Sequence, residues 1–211
     1  MADAPQNVSP VTPSTDPFSP QALDPMPCFL AWFAEAQASE PNDPNAMALA
    51  TATPTGLPSV RMVLLKEVGD AEFVFYTNAQ SRKGDELRAN PHAALCLHWK
   101  SLRRQVRIEG SLVEVSPERA DAYFRSRSRP SQLSAAASDQ SRPLADRATL
   151  EARAAELAQR YPDEVPRPAH WTGFAVHAQR LEFWRSGEHR LHDRMLYTRP
   201  EDGWERTRLY P

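Results

Sequence analysis

The feature that most constrains this chain is a succession of short runs of strand length, joined by tight turn signals. Residues 47–53 end at Thr55-Gly56, residues 59–67 end at Gly69-Asp70, and residues 72–77 follow at once. Near the C-terminus, residues 190–198 and 204–210 flank Asp202-Gly203. Turns this short join antiparallel neighbours, because a parallel pair needs a crossover of about a dozen residues. Four further strands are expected at 93–99, 105–115, 173–177 and 180–185, with Gly110 interrupting the second as at a bulge.

Helical spacing occurs in four places. Phe29, Trp32, Phe33 and Ala36 follow Pro27, a residue that a first helical turn tolerates. Ser81 can cap a helix that Asn90-Pro91 stops, and Ser116-Pro117 opens another that runs to about Arg125. After Asp146, the residues Leu150, Ala154, Leu157 and Tyr161 make one apolar stripe. Hairpin-joined strands with helices grouped between them predict an α+β fold, an antiparallel sheet closing into a barrel with flanking helices. Residues 1–25 carry Pro5, Pro10, Pro13, Pro17, Pro20 and Pro25 among small polar residues, which predicts a disordered tail ahead of a single domain at 26–211.

Composition removes several classes of function. The formal net charge is −2, so nothing global draws the chain to nucleic acid or an anionic membrane, and any anion must be met by local cations. No basic-then-apolar leader and no long apolar run occurs, so a cytoplasmic protein without a membrane segment is expected. Cys28 and Cys96 sit in apolar runs and read as reduced packing residues. With seven scattered glycines there is no Gly-rich phosphate loop, and no Gly-x-Ser-x-Gly or His-Glu-x-x-His is present.

Four clusters remain as candidate chemistry. In Gly187-Glu188-His189-Arg190-Leu191-His192-Asp193-Arg194, a strand beginning at Arg190 puts Arg190, His192 and Arg194 on one face, a row that an anionic or electron-rich ligand would explain and that a solvated edge strand explains equally well. A metal held by His189 and His192 is disfavoured, since a spacing of three puts them on opposite faces of that strand. Ser81-Arg82-Lys83 places two cations in a helix's first turn, against the dipole, where a bound phosphate would gain from the free N–H groups, although taken alone the cluster is more simply two solvated basic residues. Tyr123 and Arg127 are helix neighbours and Ser131 follows just past Pro130, which groups a phenol, a guanidinium and a hydroxyl. In Arg61-Met62-Val63-Leu64-Leu65-Lys66 the two cations have opposite parity and serve one site only if the strand bends. Gln105, Gln140 and Ser141 could read a heterocycle, and Trp184 is core or a ring wall.

Taken in order, Arg61 to Lys66, Phe75-Tyr76-Thr77-Asn78 with Ser81-Arg82-Lys83, Arg104 to Gly110, Tyr123-Phe124-x-Ser126-Arg127 with Ser131-Gln132, Gln140-Ser141, and Glu182-Phe183-Trp184 through Arg194 resemble the pyridoxamine/pyridoxine 5′-phosphate oxidase family. The resemblance runs from about Asp24 to the C-terminal Leu-Tyr-Pro. It implies an FMN-binding split β-barrel, a homodimer with FMN at its interface, and oxidation of pyridoxamine and pyridoxine 5′-phosphates by O2, giving pyridoxal 5′-phosphate and H2O2. By the same resemblance FMN would lie against Arg61 to Lys66, Tyr76, Thr77, Arg82, Lys83, Gln105, Gln140, Ser141, Trp184 and Arg194. Lys66, Tyr123, Arg127 and Ser131 would take the substrate phosphate, with Arg190, Leu191 and His192 over the ring and Arg190 and His192 catalytic. Family members often carry a basic N-terminal segment that folds over the substrate, whereas here no Arg or Lys precedes Arg61. The alternatives are a related flavin oxidase of the phenazine type, a non-catalytic FMN or pyridoxal-phosphate binder, and, more remotely, a nucleic-acid binder using the arginines between Arg125 and Arg129.

Overall fold

The computed structural model describes residues 14–201 and 203–211. After helix α1 (Pro25–Ser39) the chain lays down β1 (Ala46–Ala52), β2 (Pro58–Leu64), a two-residue β3 (Glu67–Val68) and β4 (Glu72–Asn78). Then come α2 (Arg82–Ala89), β5 (His92–Trp99) and β6 (Arg104–Glu114), followed by α3 (Pro117–Ser126), α4 (Arg129–Ala137) and α5 (Arg147–Arg160). The last third is β7 (Trp171–Arg185), a short 3-10 turn (Glu188–Arg190), β8 (Asp193–Thr198) and β9 (Glu205–Leu209). All strands form one antiparallel sheet of order β2-β1-β5-β6-β7-β4-β3, and β8 and β9 continue from the second half of β7. No helix is long and apolar enough to cross a membrane among the described residues.

Alternation puts one face of the curled sheet inside. Leu49, Leu95, Ile108, Leu181 and Tyr197 stand opposite one another across five strands, and all are essentially buried. Helix α1 closes this core. Phe29 meets Phe73 edge-on at 4.9 Å, and Trp32 meets Phe183 at 5.2 Å. It starts two residues earlier than Pro27 because the Asp24 side chain accepts from Met26 N–H and Pro25 fits the first turn.

The structure departs from the sequence reading at five places. Residues 14–25 are no tail: Phe18 and Ala22 are buried, and the Tyr197 hydroxyl donates to the carbonyls of Pro17 and Ala22 at 3.0 and 2.9 Å. Pro17 and Pro25 are buried as well, and the prolines further restrict the unfolded chain, which lowers the entropic cost of ordering the segment; residues 1–13 lie outside the described residues. The strands expected at 173–177 and 180–185 are one strand. Its register against β6 shifts beside Gly110, where a Cβ would come within 1.9 Å of the His177 carbonyl oxygen, so the bulged residue is Gln179 on β7. The strand expected to begin at Arg190 begins at Asp193, because His189 and Arg190 adopt left-handed backbone, φ 52° and 66°. Arg190 therefore does not share a strand face with His192 and Arg194. The run 59–67 breaks after Leu64, with Leu65 N–H bonded to Asn45 and Lys66 N–H to Val74. Finally, α4 replaces the expected break: Pro130 sits in the first turn of a helix instead of ending one. The hairpin signal at 202–203 is described only at Gly203, φ 118°, Asp202 being outside the described residues.

Candidate functional site

Local sequence fixes the N-terminus of α2. Ser81 Oγ accepts from Gly84 N–H, and Gly84 is packed so closely on Ala79 that a Cβ would come within 2.0 Å of that carbonyl oxygen. The turn thus holds Lys83 inward, 7% exposed, where its ammonium donates to Thr77 Oγ1, Ser81 Oγ and Gln140 Oε1 at 3.0, 3.1 and 2.6 Å. All three partners are neutral. Burial, and then the neighbouring Arg61, push the amine down to about 8. Arg61 reaches across from β2 to the Leu49 carbonyl at 3.0 Å and Thr51 Oγ1 at 2.6 Å, and pairs with Glu86 at 3.2 Å. Arg82 donates its Nε to the other oxygen of Glu86 at 2.9 Å. Ser59, Arg61, Arg82, Lys83, Gln140 and Ser141 share a cavity of about 390 Å³.

A larger cavity of about 760 Å³ adjoins it, with Met62, Lys83 and Gln140 common to both. The bend after Leu64 delivers Lys66 to this cavity, while Leu65 turns into the core and both its backbone groups bond Asn45. One wall is a stack of three nearly parallel rings: Tyr76 on Tyr123 at 4.1 Å and on Trp171 at 5.3 Å. The Arg127 guanidinium lies 5.1 Å over the Trp171 ring, and its Nη1 is buried without a hydrogen-bond partner among the described residues. Burial lowers this guanidinium's basicity, against a smaller opposing effect of Tyr123. Beside it the N-terminus of α4 has no side-chain cap, and the hydroxyls of Ser128 and Ser131 lie 2.9 Å apart. Cations and free helix N–H groups without a carboxylate make an anion seat.

A third group lies elsewhere on the sheet. Gln105, Trp184 and Arg194 are opposite one another on β6, β7 and β8. The His192 ring sits 4.7 Å from that of Trp184, and its Nδ1 accepts from Gly187 N–H at 3.2 Å. Gly187 cannot carry a side chain, since a Cβ would come within 1.8 Å of the Leu191 carbonyl oxygen. Arg194 donates to Glu182 and to the Tyr210 carbonyl at 2.8 and 3.0 Å, whereas Leu191 and Arg190 are exposed. Trp171 and Trp184 stand near opposite ends of β7, which at the usual strand rise of ~3.3 Å per residue are about 40 Å apart along the strand, less in a straight line because the sheet curls and β7 is bulged. The structure therefore brings together Arg61, Met62, Val63, Leu64, Lys66, Tyr76, Thr77, Arg82, Lys83, Tyr123, Arg127, Ser131, Gln140 and Ser141, and sets Gln105, Trp184, Arg190, Leu191, His192 and Arg194 apart from them within one chain.

Sequence reading missed Trp171 and Ser128, which line the larger cavity, and Glu86 behind the smaller one. The i, i+4 spacing of Arg82 and Glu86 was a visible signal for the last; the ring stack depends on α3 folding over β4 and had none.

Comparison with known proteins identifies the family. Residues 33–161 match the family "Pyridoxamine 5′-phosphate oxidase", and residues 171–211 match "Pyridoxine 5′-phosphate oxidase C-terminal dimerisation region". The pyridoxine/pyridoxamine 5′-phosphate oxidase of Gluconobacter oxydans is 61% identical over 189 residues, 89% of this chain and 94% of that protein. Its counterpart from Sphingopyxis alaskensis is 62% identical over 189 residues, 89% and 88% of the two chains. Among solved structures, PhzG from Burkholderia lata in complex with tetrahydrophenazine-1-carboxylic acid superposes with TM-score 0.85 at 34% identity, covering 90% of this chain and 93% of that one. A pyridoxamine 5′-phosphate oxidase-related, FMN-binding protein from Nostoc punctiforme shares the fold at TM-score 0.74 and 18% identity, covering 90% and 99%. With both halves of the chain matched, and relatives this similar along nearly their whole length, the chain belongs to the pyridoxine/pyridoxamine 5′-phosphate oxidase family.

Proposed function

We propose that this chain oxidises pyridoxamine 5′-phosphate and pyridoxine 5′-phosphate to pyridoxal 5′-phosphate, with FMN as cofactor and O2 as electron acceptor, releasing H2O2. The observation that carries the reading is the pair of adjoining cavities with cations that face no carboxylate, buried Lys83 in both and half-buried Arg127, its Nη1 unpartnered among the described residues, in the larger. Two phosphorylated ligands side by side satisfy such a surface.

The residues fit the flavin. Arg61, Arg82, Lys83 and Ser141 would take its phosphate at the α2 N-terminus, with Met62 to Leu64, Lys66, Tyr76, Thr77 and Gln140 along the isoalloxazine and its chain. Leu65 would contribute through its place in the backbone, its side chain being in the core. Lys66, Tyr123, Arg127 and Ser131 would hold the substrate phosphate. When bound, FMN supplies the acceptor for the hydride equivalent from the substrate's C4′ carbon and returns the electrons to O2.

A second copy completes the site. Among the described residues the two groups share no cavity in one chain, so a twofold partner would bring its Gln105, Trp184, Arg190, Leu191, His192 and Arg194 over the cavities, as an isologous dimer allows. In support, the matched dimerisation region contains five of these six residues. Arg190 would orient the substrate and stabilise charge near the reacting carbon. Gly187 N–H donates to His192 Nδ1, so the neutral imidazole keeps its proton on Nε2, free for the substrate.

The test is to add pyridoxine 5′-phosphate anaerobically to the FMN-loaded protein. Bleaching of the flavin that reverses in air supports the reading; a bound flavin that never bleaches refutes it, and bleaching only by tetrahydrophenazine-1-carboxylic acid would instead favour a PhzG-like substrate.

A further inference from the structure

We propose that Glu86 is a positioning residue that presets Arg61 and Arg82 for the phosphate of the flavin, and so sets the preference for the phosphorylated cofactor over the free one. This rests on the FMN reading above.

Glu86 is 6% exposed, and both its oxygens are used. Oε2 accepts from Thr51 on β1, from Ser59 at 2.5 Å and from Arg61 at 3.2 Å, both on β2, while Oε1 accepts from Arg82 Nε at 2.9 Å. One carboxylate therefore ties two strands to the first turn of α2, and the two arginines it grips line the smaller cavity with Lys83. Without it, three cations would face one another across that cavity, and long side chains that repel would swing apart. The bond to Arg82 uses only Nε, which leaves the two terminal nitrogens for an anion; Arg61, also bonded to Leu49 and Thr51, is fixed in one orientation. Burial works against the carboxylate's ionisation, but the bonds from Ser59, Thr51, Arg82 and Arg61 outweigh it and hold its acidity at about 2. It is thus charged throughout the neutral range.

A purely architectural tie between strand and helix would affect folding and treat all flavins alike. A positioning role makes a different demand: its loss must be felt through the phosphate. The experiment measures FMN and riboflavin binding to flavin-free wild type, Glu86→Gln and Glu86→Asp by quenching of flavin fluorescence. Gln keeps the size but turns an amide donor toward Arg61 and the hydroxyls. We expect Glu86→Gln to weaken FMN about tenfold or more while riboflavin changes less than about twofold, and Asp to recover part of the loss. Arg82→Ala should weaken FMN in the wild type and add less than about twofold in the Glu86→Gln background, since its guanidinium is already unset. If Glu86→Gln does not fold, Thr51→Val, which removes one donor at nearly constant volume, is expected to shift FMN but not riboflavin in the same direction. Equal weakening of both flavins, or no change in either, overturns the proposal. A wild type that binds FMN no better than riboflavin removes the phosphate seat itself, and the proposal falls with it.

Discussion

Trp171 and Trp184 are carried by one continuous strand, near its two ends, and each walls a different group of candidate residues. No cavity among the described residues is lined by both groups.

Subunit complementation follows from that separation. Arg127→Ala disables the ring-walled cavity, and Arg190→Leu disables the other group. Each homodimer should be inactive, whereas co-refolding the two should restore about a quarter of wild-type activity, because half the dimers are mixed and each has one intact site. No recovery in a confirmed heterodimer would mean that the residues act within one chain.

Arg190→Leu and His192→Ala should lower turnover by about 10²-fold or more while FMN remains bound, as expected for groups that orient substrate and handle a proton. Steady-state rates with flavin content measured on the same samples check this. Loss of FMN with unchanged activity per bound flavin contradicts the assignment.

Anion affinity should fall as the pH rises past 8. Lys83, beside Arg61 and without a carboxylate, is held down at about 8 in the empty protein by burial first and by Arg61 second. A bound phosphate favours the charged amine, so binding takes up a proton wherever the empty site is deprotonated, and affinity is lost above about 8. Calorimetry in buffers of different ionisation enthalpy reads the uptake directly. The same group's contribution to folding has the opposite slope: its folded value lies below the ordinary 10.5, so its burial penalty is full below 8 and fades as the pH rises toward 10.5.

Gly110→Ala should destabilise the fold by about 1–3 kcal/mol, because the new methyl would lie 1.9 Å from the His177 carbonyl oxygen at the bulge and backbone must move. Thermal melting measures it, and a change below about 0.5 kcal/mol would mean that the bulge relaxes freely.

Phe18→Ala tests the N-terminal segment. Phe18 packs 6.2 Å from Trp32 and lies under the guanidinium of Arg185 at 4.4 Å, so truncation should cost about 3 kcal/mol. Unchanged stability would return residues 14–25 to the status of a tail.

Period-two alternation and turn signals were enough to read the antiparallel sheet, since both are local. The same locality explains the errors. Arg190 looks like the first residue of a strand because parity cannot register two successive left-handed residues, a conformation imposed by the loop closing on Gly187. Pro130 reads as a stop or a start with equal ease, and only the packing of α4 against α5 decides. In the site, cations near a helix start or end were legible one cluster at a time. Their convergence on shared walls, and the separation of Trp184 from Tyr76, depend on strand order that hairpin signals do not encode.

The carboxylate-free cations, half-buried Arg127 and buried Lys83, also bear on the life of the protein between turnovers. An empty subunit holds desolvated positive charge that its ligands relieve, so each occupied cavity shifts the folding equilibrium by mass action. A phosphorylated ligand should then raise the melting temperature of the chain and slow its proteolysis, as well as supply its reaction.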